Sequence, residues 1–232
     1  MQHSKIRPGR YNVNTPGRIL DAAEELFAMR SYETVTLREI ARAAGVNVGQ
    51  IMYHFSTKDE LIREVVIRRA GILNQERIQL LNSYEDLVGE KNMQLEPLVR
   101  AFITPYFKRL MGNDQAWRNY AQFIGRNVWD EKVSPALAEG FNPAAERYLK
   151  AFRIALPNVS DANAVRAFQF MLAGIYGSTT NDTRTHSLSG DESLARDLEG
   201  YQAALIPFVV GGIERMALEL AEADDTVPSS LE

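Results

Sequence analysis

The chain has 232 residues, 45% of them apolar and 24% charged, with a formal net charge of −4; this length supports a well-buried core, as one large domain or one plus a small module. It contains no cysteine, which excludes disulfides, thiol nucleophiles and Cys-ligated zinc or iron–sulfur sites, and its three histidines (His3, His54, His186) are scattered. No apolar run approaches the ~18 residues of a membrane helix, and the opening MQHSKIRPGR lacks the apolar segment of a signal peptide, so a cytoplasmic protein with no membrane partner is expected.

The charge is unevenly spread. Residues 1–69 carry 11 basic and 8 acidic side chains, a net of +3, whereas the other 163 residues carry 15 and 22, a net of −7. A basic front on an acidic body suits a nucleic-acid binder, although three charges also lie within compositional scatter.

In chain order, residues 1–15 hold Lys5, Arg7 and Arg10 with no acid, and are expected to be a flexible basic arm. Thr15-Pro16 has the form of a helix start, and Ile19, Ala22, Ala23, Leu26 and Phe27 recur at helical spacing, giving a first helix over 16–30. Thr36 and Glu39 form a capping box for a short second helix that ends at Gly45. Asn47 can cap a third short helix over 48–55, with Ile51 and Phe55 inward and Val48, Gln50, Met52, Tyr53 and His54 outward. Ser56 or Thr57 then starts a long fourth helix to about Leu81, with Asp59 and Glu60 in its first turn.

Beyond residue 90 the pattern stays helical. A helix over 95–110 should kink at Pro105, Asn113-Asp114 opens another, and Ser134-Pro135 and Asn142-Pro143 each have the form of a helix start. Ser160 begins a further helix, residues 181–193 form a polar loop, and a last helix carries Leu194 to Ile213 before a tail, 224–232, expected to be disordered. The fold class expected is all-α.

Two short helices joined by a glycine turn and supported by a preceding helix form a helix-turn-helix, whose second helix enters the DNA major groove. The stretch "TLREIARAAGVNVGQIMYHFSTKDELI", residues 36–62, together with "ILDAAEELFAMRSYETVT" before it, closely resembles the DNA-binding signature of the tetracycline-repressor (TetR) family of bacterial transcriptional regulators. Ser31 stands where that family usually places glycine. The resemblance implies a helix-turn-helix domain over 16–62 and a helical effector-binding and dimerisation domain over 63–223. It implies that Thr36 and Lys58 anchor helix ends to phosphates, that Tyr53 and His54 clamp the DNA backbone, and that Asn47, Val48, Gly49, Gln50 and Met52 face the bases. Gln and Asn can pair with an adenine edge and Val and Met can touch a thymine methyl, while guanine reading would fall to Arg38, Arg42 or the arm. Gly49 weakens the helix yet lets its backbone approach DNA closely.

A palindromic double-stranded operator needs two copies of the chain. Gly174 and Gly177 in one helix, and Tyr201, Leu205, Phe208, Val209 and Gly212 in the last, are candidates for a homodimer interface, although the same stripes would also suit burial within one subunit. The middle helices carry Phe102, Tyr106, Trp117, Tyr120, Phe123, Trp129, Phe168 and Tyr176, with Arg126 and Gln169 as polar companions. These candidates line either a pocket for a small, largely apolar effector, such as a fatty acid or an acyl-CoA, or a plain core. With no thiol and no clustered imidazoles, an enzyme is not expected, and neither is a cofactor or a metal. The function expected is a ligand-responsive DNA-binding regulator, a repressor released from its operator by the effector.

Overall fold

A computed structural model describes residues 14–179 and 183–225, excepting the side chains of residues 183, 184, 195 and 220–225. Ten α-helices account for most of it, and no strand occurs among the described residues. The expected basic arm therefore lies outside the description up to residue 13, as does the expected disordered tail from residue 226.

Three helices form the front module: α1 (Thr15–Met29), α2 (Leu37–Ala44) and α3 (Val48–His54). The α2 capping box closes as expected: Thr36 Oγ1 accepts from the Glu39 amide at 3.3 Å and Glu39 Oε2 accepts from the Thr36 amide at 2.8 Å. Gly45 ends α2 with φ +64°, the left-handed backbone that a Cβ disfavours. Val46 N then donates to the Ala41 carbonyl at 2.9 Å, which sets the turn into α3. Ile19, Ala23, Phe27, Ile40 and Ile51 are fully buried and form the seam that fixes the three helices.

Helix α4 (Lys58–Val88) starts at Thr57, whose side chain accepts from the Glu60 amide, and its 31 residues run well past Leu81. At about 1.5 Å per residue it spans about 46 Å. The body adds α5 (Leu95–Met111), α6 (Gln115–Asn127), α7 (Ser134–Ala155), α8 (Asp161–Thr179), α9 (Thr183–Ser189) and α10 (Leu198–Asp225).

Three expectations need correction. Asn142-Pro143 starts no helix: α7 runs through Pro143, because tertiary packing against α4 outweighs one missing backbone bond. There Asn74 Nδ2 donates to the Gly140 carbonyl at 2.6 Å. The stretch 181–193 is not all loop, since it contains α9 and a 3₁₀ turn begins at Leu194. Residues 224 and 225 continue α10 rather than opening the tail.

The front module meets the body at several places, two of which bear on the site. One meeting is the continuity of α4; the other is α1 against α6, where Phe27 and Phe123 lie 6.0 Å apart. At the same seam Asn127 Oδ1 accepts from the buried Tyr32 amide at 3.2 Å, and Arg126 Nε donates to the Ala28 carbonyl at 3.3 Å.

Candidate nucleic-acid interface and effector cavity

Helix α3 is only seven residues long and buries only Ile51, so most of its side chains are turned outward. Tyr53 is 84% exposed, Met52 44%, and Asn47, Gly49 and His54 are exposed as well, while Val48 and Gln50 are half-buried. Tyr53 and His54 meet edge to face with centroids 5.1 Å apart. A large aromatic ring left in solvent on a short helix is unusual for a core element and suits a contact surface.

Asn47 and Gln50 cap one another. Asn47 Oδ1 accepts from the Gln50 amide at 2.8 Å, and Gln50 Oε1 accepts from the Asn47 amide at 3.1 Å. Both carbonyl oxygens thus serve the helix start, and the two side-chain NH₂ groups have no hydrogen-bond partner among the described residues. A methyl group at Gly49 would sit 3.2 Å from Asn47 Oδ1, so glycine also leaves room for that cap.

At the start of α2, the cap residue Thr36 and Arg38 are exposed. Lys58, expected at a phosphate, is folded inward: its ammonium donates to the Tyr32 carbonyl and lies 4.0 Å over the Tyr32 ring. Burial lowers its pKa. The Tyr32 hydroxyl donates in turn to Asp59, and burial together with that bond pushes the phenol pKa up. Tyr32 therefore ties the end of α6, through Asn127, to the first turn of α4.

The body's candidates divide. Phe102, Phe168, Gln169 and Tyr176 line an inner cavity of about 250 Å³ between α4, α5, α7 and α8. Trp129, 75% exposed, lines an outer cavity of about 550 Å³, to which Gln169 and Tyr176 also contribute. Tyr106 is buried beside them, its hydroxyl 3.4 Å from Thr179 Oγ1.

Three candidates point elsewhere. Tyr120 donates to the Val66 carbonyl at 3.1 Å, Phe123 packs on Phe27, and Trp117 is flanked by Arg69 and Arg109 at 5.1 and 5.2 Å from its ring centroid. They hold α6 against α1, α4 and α5 rather than lining either cavity. Arg126 is exposed and holds the α1 carbonyl described above.

The sequence reading missed Arg77, which lines the inner cavity while only 3% exposed. Its position was a signal in itself, because Leu73, Arg77 and Leu81 follow one another at i, i+4 spacing on a buried stripe where an arginine is out of place.

On another face of α8, four of the interface candidates share an apolar groove of about 340 Å³ between α8 and α10: Gly174, Phe208, Val209 and Gly212. Phe208 is 78% exposed and Phe170 beside it 66%. Leu205 and Val209 are buried against α8 within the subunit, Tyr201 is half-buried, and Gly177 is exposed. Among the described residues no helix is long and apolar enough to cross a membrane.

Comparison with known proteins agrees with this geometry. The sequence profile described as "Bacterial regulatory proteins, tetR family" matches residues 19–65, and that described as "Tetracyclin repressor-like, C-terminal domain" matches residues 100–212. The HTH-type transcriptional repressor KstR2 of Rhodococcus jostii is 26% identical over 116 residues, which cover 50% of this chain and 53% of that protein. The chain thus spans about half the length of the curated relatives it matches. A tetR-family regulator from Shewanella sp. PV-4 shares the fold with TM-score 0.61 at 15% identity, covering 85% of this chain and 97% of its own. The transcriptional regulator FadR from Bacillus subtilis, solved in complex with stearoyl-CoA, does so with TM-score 0.56 at 19% identity, covering 84% and 98%. Two profiles that together cover both the exposed short helix with its supports and most of the cavity-bearing body place this chain in the TetR family.

Proposed function

We propose that the protein is a homodimeric, sequence-specific DNA-binding repressor that a small, largely apolar effector releases from a palindromic operator. The observation that carries the reading is the outward face of α3: Met52, Tyr53 and His54 stand exposed on a helix whose start is already capped by Asn47 and Gln50. In the major groove the two amides and Met52 face base edges, and Tyr53, His54 and Thr36 face phosphates. Lys58 reaches a phosphate by leaving the Tyr32 carbonyl, so its hold on DNA competes with its hold inside the chain.

A second copy docks on the α8–α10 face, where Phe170 and Phe208 lie open beside Gly212; it sets two recognition helices about 34 Å apart, one helical turn of DNA. The effector occupies the inner and outer cavities, which α7 and α8 both line. The similar-fold FadR, solved with stearoyl-CoA, favours an acyl ligand of the fatty acid or acyl-CoA kind. Val128 and Trp129 of the outer cavity directly follow Asn127, which holds Tyr32, which holds the first turn of α4. A ligand that displaces the end of α6 therefore tilts α4 and alters the spacing of the recognition helices, with a coupling of typically about 1–3 kcal/mol.

The test is selection of bound duplexes from a random pool, followed by salt titrations of the winning site with wild type and Tyr53→Ala. The expected winner is an inverted repeat, and the variant should bind it more weakly at every salt concentration with the wild-type slope, because a neutral phenol contacts a phosphate without releasing a counterion. A winner without two-fold symmetry sinks the dimeric reading, and superimposable titrations sink the clamp.

A further inference from the structure

Arg77 is a cation that the fold has buried and left without an acid. It is 3% exposed, yet it takes part in no ion pair among the described residues. Among the described residues its guanidinium makes one hydrogen bond, from Nε to the Phe102 carbonyl at 2.9 Å, and lies 3.7 Å from the Phe102 ring centroid. The titratable groups acting on it are tyrosines, Tyr176, Tyr148, Tyr106 and Tyr120, which carry no charge at neutral pH. Burial lowers its pKa to about 10, which still leaves it charged.

A guanidinium has five N–H donors in a planar fork, and one is used here. The terminal nitrogens belong to a side chain that lines the inner cavity of about 250 Å³, whose other walls are largely Phe102, Phe168, Leu149 and Leu172. Burying an unpaired charge among such groups is costly, and a planar bidentate acceptor would relieve the cost. Five residues, including Asn142, Gln169 and Tyr176, line the outer cavity as well, so an apolar chain has somewhere to extend. Glu146, an exposed residue, also borders the inner cavity.

We infer that this cavity takes an amphipathic monocarboxylate, with the ligand's carboxylate on the guanidinium fork of Arg77 and its hydrocarbon chain against Phe102, Phe168 and Leu172. The inference rests on the cavity being the effector site, and it narrows that site from apolar ligands in general to free acids. An acyl thioester presents an uncharged carbonyl to the same fork and leaves the cation unmatched.

The probes are octanoate and octan-1-ol, titrated against the full chain by calorimetry. Wild type should bind octanoate at least tenfold more tightly than the alcohol. Arg77→Met should abolish that preference while retaining the alcohol, Arg77→Lys should restore part of it, and Glu146→Gln, which removes a like charge near the ligand, should tighten octanoate alone. Equal affinity of wild type for the two probes, acid preference surviving in Arg77→Met, or weaker octanoate binding to Glu146→Gln would each overturn the assignment of an anion. Failure of wild type to bind either probe would overturn the effector-cavity reading itself, which separates the two failures. If Arg77→Met does not fold, the wild-type pair and Glu146→Gln still decide.

Discussion

At the joint between α1 and α4 a buried carboxylate, Glu24, is met by two guanidinium groups: Arg68 at 3.0 Å, and Arg69 through two nitrogens at 3.1 Å each. About two turns further along the same helix the buried guanidinium of Arg77 meets no carboxylate among the described residues. Both charges sit in an apolar interior, and both would be expensive alone. One is completed by the chain's own residues, which makes it a mechanical joint between the front module and the long helix. The other, on the proposal made above, is completed by a ligand's carboxylate. The contrast separates a charge that the fold pairs from one that it leaves beside a cavity.

The joint is where that contrast can be broken most severely. Glu24→Ala leaves Arg69, whose side chain is 12% exposed, without its acid, whereas Arg68 keeps Asp21 at 2.7 Å. Removing one partner of a buried pair costs about 3–5 kcal/mol, a large share of the roughly 5–15 kcal/mol typical of a folded protein. Urea denaturation at fixed protein concentration should register that loss, and an unmoved midpoint would mean that the joint is not electrostatic. Asn127→Ala comes next. It leaves the buried Tyr32 amide without its acceptor, a loss of about 1–3 kcal/mol, and it cuts the link from the end of α6 to α4. Operator affinity should survive while effector-induced release weakens; release that is as efficient as in wild type would remove Asn127 from the route.

The Arg77 side of the contrast predicts a change of opposite sign. Methionine fills a similar volume without a charge, and its gain is partly offset because the bond to the Phe102 carbonyl and the stacking of the cation on the Phe102 ring are no longer made. Unliganded Arg77→Met should therefore be more stable than wild type by about 1–2 kcal/mol in the same urea experiment. A loss of stability would mean that Arg77 is a structural residue that the cavity happens to touch.

The two halves of the molecule were unequally legible in the sequence. The front module is built from signals that lie within four residues of one another, such as Thr36 with Glu39, Asn47 before Gln50, and the left-handed Gly45, so helix limits and outward faces followed from local chemistry. The single large surprise there, Lys58 folded onto Tyr32, involves a partner 26 positions away. In the body the deciding partners are all distant. Pro143 looked like a helix start because nothing local reveals that α4 supports α7 across Asn74 and Gly140. Trp117, Tyr120 and Phe123 have the same helical spacing as pocket-lining aromatics, and only the placement of α6 against α1, α4 and α5 turns them into packing. Arg77 was legible in principle, since an arginine between Leu73 and Leu81 contradicts the stripe it sits in.

The smallest predicted effect lies at the surface of the front module, where a charge is paired but wet. Glu39 accepts from Arg30 Nη1 at 2.6 Å and from the hydroxyl and amide of Thr36 at 2.7 and 2.8 Å, and these bonds, Arg30's first, lower its pKa to about 2. A carboxylate held below its unfolded value of about 4.3 stabilises the fold fully above that pH, and the contribution fades as pH falls from about 4.3 towards 2. Both partners are about a third or more exposed, so solvent screening reduces what the shift alone would suggest. The difference in thermal midpoint between wild type and Glu39→Gln should stay constant from pH 7 to about 5 and narrow below about 4. If it stays constant down to pH 3, the α2 cap gains nothing from the charge on Glu39. Surface pairs in the front module would then serve to orient α2 and α3, and the stabilising ionic contacts of this chain would be those, like Glu24 with Arg69, that water does not reach.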